Sequence, residues 1–141
     1  FYTTYNRTPL GDRVQTVLNA IARKAGDGAG AVDVVGVGAG GAWALLARAL
    51  APTLAAGVLC ADIDAFPVDD DRAYVERCYA PGLRRVGDLR TAAALAAVRP
   101  VLLHGLGAPT ASWERASLRG DLHLEERTLT PAEAAVWIAG G

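Results

Sequence analysis

The chain has 141 residues, 52% of them hydrophobic, and a mean hydropathy of +0.21, so it can bury the core of one domain and is not disordered. Its 14 Lys and Arg residues nearly balance 15 Asp and Glu, and the formal net charge of -1 excludes strong attraction to nucleic acid or anionic lipid. Apolar stretches such as 42–54 are broken by Arg48 and Pro52 and fall short of the roughly 20 residues that cross a bilayer. We therefore expect a soluble protein, cytoplasmic or exported, without a nucleic-acid or membrane partner.

Cys60 and Cys78 are too few to indicate a disulfide framework or a metal cluster. Cys60 falls in an apolar run, which favours a buried side chain over a reactive thiol, although a disulfide to Cys78 stays possible in an exported protein. The chain begins at Phe1 and contains no methionine, so we expect a processed chain or a piece of something longer.

The chain opens with a predicted helix and strand. Apolar residues at helical spacing predict a helix over 12–25, with Asp12 as its N-cap and Gly26 as its stop. After a flexible loop at 26–30, the valine-rich run 31–37 predicts a strand that is covered on both faces.

The middle of the chain predicts a second strand flanked by helices. A helix over 42–50 is followed by a buried strand over 57–63, and two further helices, over 70–79 and 88–97, form a helical insertion. An acidic loop separates the second strand from that insertion; its members are Asp62, Asp64, Asp69, Asp70 and Asp71.

The last third predicts two strands and two helices. An apolar strand over 101–104 leads into a turn at 105–109 and a short helix over 110–118. The alternating strand over 122–129 suits an edge position with one wet face. Residues 130–133 form a capping box with proline at the first helical position, which marks the start of the final helix.

This order predicts a single α/β domain over 1–141, in which a parallel four-stranded sheet with right-handed crossovers carries helices on both faces as a three-layer structure. Four strands are few for this class, and valine-rich strands need cover on both faces. The sheet should therefore leave apolar area exposed. We expect a homo-oligomer or a missing N-terminal half of the domain to cover it.

The segment 34–41 has the outline of a nucleophile elbow, because a strand, a tight glycine turn and a helix follow one another. In the G-x-S-x-G pattern the turn lifts a nucleophile above the end of the sheet. Gly38 stands where that pattern places serine, and it has no side-chain atom that can attack a substrate.

With this elbow, the order of elements resembles the C-terminal half of an α/β-hydrolase. Four sequence segments are similar to the bacterial acetyl-xylan-esterase and prolyl-oligopeptidase-like branch. They are Tyr5-Asn6-Arg7-Thr8, Ala73-Tyr74-Val75-Glu76-Arg77, Pro81-Gly82-Leu83-Arg84-Arg85-Val86-Gly87-Asp88 and Arg99-Pro100-Val101-Leu102-Leu103-His104. The resemblance covers nearly the whole chain but only the second half of the family's domain.

The resemblance implies a serine nucleophile, a histidine base and an orienting acid, with backbone N–H groups holding the oxyanion. The nucleophile position falls on Gly38. The acid is expected within 105–113, which contains no Asp or Glu, and the histidine near 128–131, which contains none. We therefore predict a degenerate, non-catalytic esterase-related domain with no cofactor.

Two histidines and the acidic loop are the remaining candidates for chemistry. His104 lies where a strand meets its loop, at the edge where α/β sites form, but no serine or acid is tied to it in sequence, so a structural role is favoured. His123 alternates with leucines and suits a strand surface. The acidic loop could attract a divalent cation, but such runs are usually solvated loops and helix caps, so no metal site is predicted.

Two alternatives stay open. Gly36, Gly38 and Gly41 also fit the G-x-G-x-x-G turn of a dinucleotide-binding fold, with Asp62 ending the next strand to bind a ribose hydroxyl. The chain could instead be an interaction module or one half of an assembly, with a docking patch near Val14 and Trp137. Across these hypotheses the candidate binding residues are Gly36, Gly38, Ala39, Gly41, Asp62 and His104.

Overall fold

The computed structural model describes residues 8–54, 56–64, 70–107, 113 and 121–140. Its helices are α1 (Pro9–Lys24), α2 (Ala39–Leu50), α3 (Asp71–Cys78), α4 (Asp88–Ala96) and α5 (Pro131–Gly140). Its strands are β1 (Val32–Gly36), β2 (Ala56–Asp62), β3 (Val101–His104) and β4 (Leu122–Leu124). None of the described helices has the length and apolar character to cross a membrane.

The four strands form one parallel sheet, as the sequence predicts, and their order across it is β1-β2-β3-β4. Because every crossover steps to the next strand in the same direction, right-handed connections place the crossover helices on one face. The helix that follows β4 is then available for the other face. The sheet is accordingly covered by helices on both faces.

Alternating side chains of the central strands enter two separate cores. Leu59 of β2 and Leu103 of β3 lie in the large core beneath α1 to α4. Cys60 and Leu102 point to the opposite face, where they meet Ala134 of α5. Val14 belongs to the first core and Trp137 to the second, so the predicted docking patch that joined them is wrong.

The prediction that the first strand is covered on both faces is wrong. β1 lies at the edge of the sheet, and α5 packs mainly against β2. Val35 is therefore 47% exposed and Val37, just beyond the strand, 65% exposed. A valine-rich run records the apolar character of a strand but not its place in the sheet.

The first helix begins earlier than predicted, at Pro9, and its N-cap is Thr8 rather than Asp12. The Thr8 hydroxyl oxygen accepts the N–H of Gly11 at 3.1 Å, and proline is suited to the first helical position because that position needs no N–H donor. Asp12 lies within the first turn. Gly26 does not end the helical segment either, since a π-type turn continues over Ala25–Ala29.

The fourth strand keeps its predicted edge position but spans only Leu122–Leu124 instead of 122–129. Its partner β3 has four residues, so the parallel ladder ends there. The chain beyond it bonds to the loop after β3, and Gly105 N–H donates to the Arg127 carbonyl at 3.0 Å. The predicted helix over 110–118 lies outside the described residues except for Trp113, which is buried in the large core.

The two cysteines are free and buried. They lie on opposite faces of the sheet, Cys60 in the smaller core and Cys78 in the larger one. Burial, with a smaller contribution from Asp62, raises the pKa of Cys60 to about 11. The prediction of a buried Cys60 is confirmed, and the disulfide that the sequence left possible does not form in this fold.

Candidate functional site

The turn between β1 and α2 has the sharp geometry that the elbow pattern requires. Gly38 has a φ of 53° and a ψ of -130°, and α2 begins at the next residue, Ala39. This start is three residues earlier than the predicted boundary at 42. Gly40 N–H donates to the Val37 carbonyl at 3.0 Å and closes the turn. The N–H of Ala39 lies in the first helical turn, where backbone donors have no intrahelical acceptor.

The three glycines of the turn have different surroundings. A Cβ at Gly36 would stand 2.5 Å from the Cα of Gly41, and a Cβ at Gly41 would overlap the carbonyl oxygen of Asp62. A Cβ at Gly38 would meet nothing within 4 Å. Gly36 and Gly41 therefore allow strand and helix to pack closely, whereas Gly38 faces open space.

Asp62 connects the end of β2 to the elbow. Its side chain is nearly buried, with Oδ2 accepting the N–H of Gly38 and Oδ1 accepting the N–H of Asp64, both at 3.0 Å. The carboxylate thus holds the turn after β1 and the turn after β2 together. The sequence places Asp62 at the strand end but does not reveal this bond to Gly38.

His104 lies beside Asp62 in the paired register of β2 and β3 and is 3% exposed. Its Nδ1 accepts the N–H of Leu129 at 3.2 Å, which assigns the ring proton to Nε2. Burial lowers the pKa of His104, while Asp62 and Glu125 act in the opposite direction. The imidazole is therefore a neutral group that anchors the segment leading into α5.

Gly105 lies directly after His104 and packs closely against the loops around Asp62. It has a φ of 70°, and a Cβ there would lie 2.9 Å from the Cβ of Asp64, 3.0 Å from Oδ1 of Asp62 and 3.0 Å from Oγ1 of Thr128. Sequence reasoning named Asp64 in the acidic loop and placed 128–131 where the resemblance expects a histidine, but it did not bring Asp64 and Thr128 together at Gly105. These loops meet only after folding, so no local pattern reveals the contact.

The structure brings all six predicted binding residues to the carboxyl ends of β1, β2 and β3. Their order across the sheet is the elbow glycine, then Asp62, then His104. Adjacent strands are about 4.8 Å apart, so an elbow side chain and His104 would be separated by two strand spacings and by the carboxylate. A serine triad needs the histidine between nucleophile and acid. This arrangement therefore does not place an imidazole base within reach of position 38, where the nearest titratable group is the Asp62 carboxylate.

The other acidic residues of the loop have separate partners. Asp70 is the N-cap of α3 rather than its first residue, with Oδ1 accepting the N–H groups of Arg72 and Ala73 at 3.0 Å. The side chain of Asp71 pairs with Arg84. Asp69 lies outside the described residues, and in the described part of the chain no three metal-binding side chains are grouped around a common point.

His123 lies away from the site on the exposed side of β4. Its Nε2 and the Asp121 carboxylate are 2.8 Å apart, and its ring meets Trp137 edge to face at 5.8 Å. These contacts fit the predicted surface role of a strand histidine.

No protein-family model matches the chain, and neither do any curated proteins or solved structures.

Proposed function

We propose that this chain is a non-catalytic domain of α/β-hydrolase type, related to the esterase branch, in which the elbow is kept as a structural turn. The observation that carries the proposal is Gly38. It combines the positive φ of an elbow with open space above it, and no side-chain atom projects there. Serine-type acyl transfer needs a nucleophile at this apex.

Further support comes from the groups around the apex. The Asp62 carboxylate accepts the backbone N–H of Gly38, and the Nδ1 atom of His104 is engaged by Leu129. Both groups therefore stabilise turns. A histidine base must instead direct an unprotonated nitrogen at the nucleophile, whereas the other ring nitrogen of His104, Nε2, carries the proton.

The proposal is tested by treating the folded chain with a fluorophosphonate probe and measuring its intact mass. We expect no adduct beyond that seen with heat-denatured protein, because no hydroxyl is activated at the elbow. A stoichiometric adduct on any serine of the native chain would contradict the proposal.

An interaction function is a second candidate, favoured by the exposed edge at β1. Val35 and Val37 are exposed beside a strand whose outer edge pairs with none of the other described strands. We propose that the sheet continues there onto a second copy of the chain or onto an N-terminal hydrolase half. Co-purification with such a fragment would support the half-domain.

Dinucleotide binding is less favoured by the same geometry. The Asp62 carboxylate lies against the elbow N–H, where it would repel a pyrophosphate at the start of α2. The linear strand order also lacks, among the described strands, the reversal at which dinucleotides bind. We expect NAD(H) and NADP(H) to leave the melting temperature unchanged, and a saturable increase would restore this alternative.

A further inference from the structure

An apolar groove lies on the helical face of the molecule, away from the carboxyl ends of the strands. It is bounded by α1, by the C-terminal half of α2, by α4 and by the turn before α4. Its volume is about 280 Å³. Leu10 and Val14 of α1 and Leu46 of α2 are buried at its wall.

Large apolar side chains surround the groove and remain in contact with water. Leu50 is 71%, Val86 66% and Leu95 55% exposed, although all three line the same cavity. Such clustering distinguishes a binding groove from scattered surface hydrophobics. A ligand that covered these side chains would gain the free energy of removing them from water.

The charge of the lining restricts the ligand. Asp88 is the one ionisable side chain among the described lining residues, and it is paired with Arg90 at 3.2 Å. The described lining residues thus offer no cation to a carboxylate or phosphate and no uncompensated anion to an amine. A charged ligand group would lose its hydration without gaining a partner.

The size of the groove indicates a small molecule. A cavity of about 150 Å³ accepts a six-carbon ring, so one of 280 Å³ suits roughly ten carbon atoms. A partner protein needs about 800 Å² of surface on each side for a stable complex, far more than this groove can provide.

We propose that the groove between α1, α2 and α4 binds an uncharged aliphatic chain of roughly eight to ten carbons, such as a medium-chain alcohol. This site is separate from the elbow and does not depend on the proposed loss of hydrolase chemistry.

Calorimetric titration with 1-hexanol, 1-octanol and 1-decanol tests the proposal on the natural chain. We expect saturable 1:1 binding that tightens about fourfold for each added methylene. Decanoate should bind at least about tenfold more weakly than 1-decanol, because its carboxylate finds no cation. The proposal would be overturned if the affinity were the same for all three alcohols, or if decanoate bound as tightly as 1-decanol.

A variant whose larger side chain fills the groove can be compared with a matched variant on the other face of the molecule. Ala49 lines the groove on α2, whereas Ala135 is exposed on α5 on the other face. Ala49→Leu should weaken 1-decanol binding at least about tenfold, and Ala135→Leu should leave it unchanged. If both variants bound 1-decanol with the same affinity, the alcohol would bind outside the groove and the proposal would be refuted. A natural-chain dimer that Ala49→Leu dissociates would instead assign the groove to a second copy and refute the small-molecule site.

Discussion

At the scale of single residues, Gly38 and Gly41 constrain the elbow in different ways. Gly38 needs its backbone conformation but has free space around it, with a φ of 53°. Gly41 has an ordinary helical conformation but touches the backbone of Asp62, so it has no room for a Cβ. One glycine is required by torsion and the other by packing.

Alanine at the two positions separates these requirements. Gly38→Ala should lower the free energy of unfolding by about 1–3 kcal/mol, because residues with a side chain rarely adopt a positive φ together with a ψ near -130°. Gly41→Ala should lower it by about 3 kcal/mol or more, because the Asp62 backbone must move. Urea unfolding measures both, with Gly40→Ala as a control at an unhindered position. A larger loss at position 38 than at 41 would contradict this account.

Acid should destabilise the fold through His104. Burial lowers the pKa of the folded imidazole below its ordinary value near 6.5, so the unfolded chain binds a proton that the folded chain does not as the pH falls through that value. Protonating Nδ1 would also break its bond to Leu129. The contribution of His104 is therefore present above about pH 7 and is lost toward about pH 5, as urea midpoints at the two pH values should show.

An asparagine at position 104 tests this assignment, because its amide oxygen can still accept the Leu129 N–H but does not titrate in this range. His104→Asn should flatten the acid dependence of the urea midpoint. His123→Asn, at an exposed histidine paired with Asp121, should not. An unchanged acid dependence in His104→Asn would assign the effect to other groups.

At the scale of elements, local signals predict helix starts well. The capping box at the start of α5 is confirmed, with Thr130 N–H donating to Oε2 of Glu133 at 2.8 Å and Glu133 N–H donating to Oγ1 of Thr130 at 3.3 Å. The side chains of Arg127 and Glu133 also pair at 2.8 Å. The two bonds of the capping box lie within residues 130–133, so the pattern is sufficient to find them, whereas the Arg127 pair lies outside the pattern.

Removing this cap should loosen α5 from the sheet. Thr130→Ala should lower the free energy of unfolding by about 1 kcal/mol, because the first turn loses its side-chain acceptor. Glu126→Ala, at an exposed residue outside the box, is the control and should change the free energy of unfolding little. Urea unfolding followed by Trp fluorescence measures both variants. A Thr130→Ala protein as stable as the control would show that the cap contributes nothing.

Two element boundaries are mispredicted, one by the choice between local signals and one because a neighbouring strand decides. The start of α1 offers two acceptable caps, and the position of Pro9 favours Thr8 over Asp12. The length of β4 is set by the short β3 beside it rather than by its own alternation. Both errors are errors of boundary, and the type of each element is correct.

At the scale of the whole molecule, the predicted parallel sheet forms, but the exposure of its first strand could not be read from β1 alone. Strand order is a property of the assembled sheet, and it places the valine-rich β1 at an edge. The glycines of the site could be predicted because the turn needs them. The bond from Asp62 to Gly38 could not, since it joins two loops that meet only after folding.

Because β1 lies at the edge of the sheet with exposed valines, we predict that copies of the chain associate through this strand. We expect the isolated chain to sediment as a dimer or larger species, with Val35→Asp shifting it toward monomer because a charge would be buried in the contact. Val75→Asp, at an exposed valine on α3, is the matched control and should not change the distribution. A compact monomer at every concentration would contradict self-association at this edge.

The most direct test of the central claim is the rate of p-nitrophenyl acetate hydrolysis by Gly38→Ser. Gly40→Ser, two residues further along the chain, is the control. Since Asp62 separates the elbow from His104, and neither described histidine reaches position 38, we predict that both variants hydrolyse the ester no faster than the natural chain or heat-denatured protein. Turnover by Gly38→Ser at least tenfold above Gly40→Ser would mean that a working base already faces the elbow, and would contradict the account.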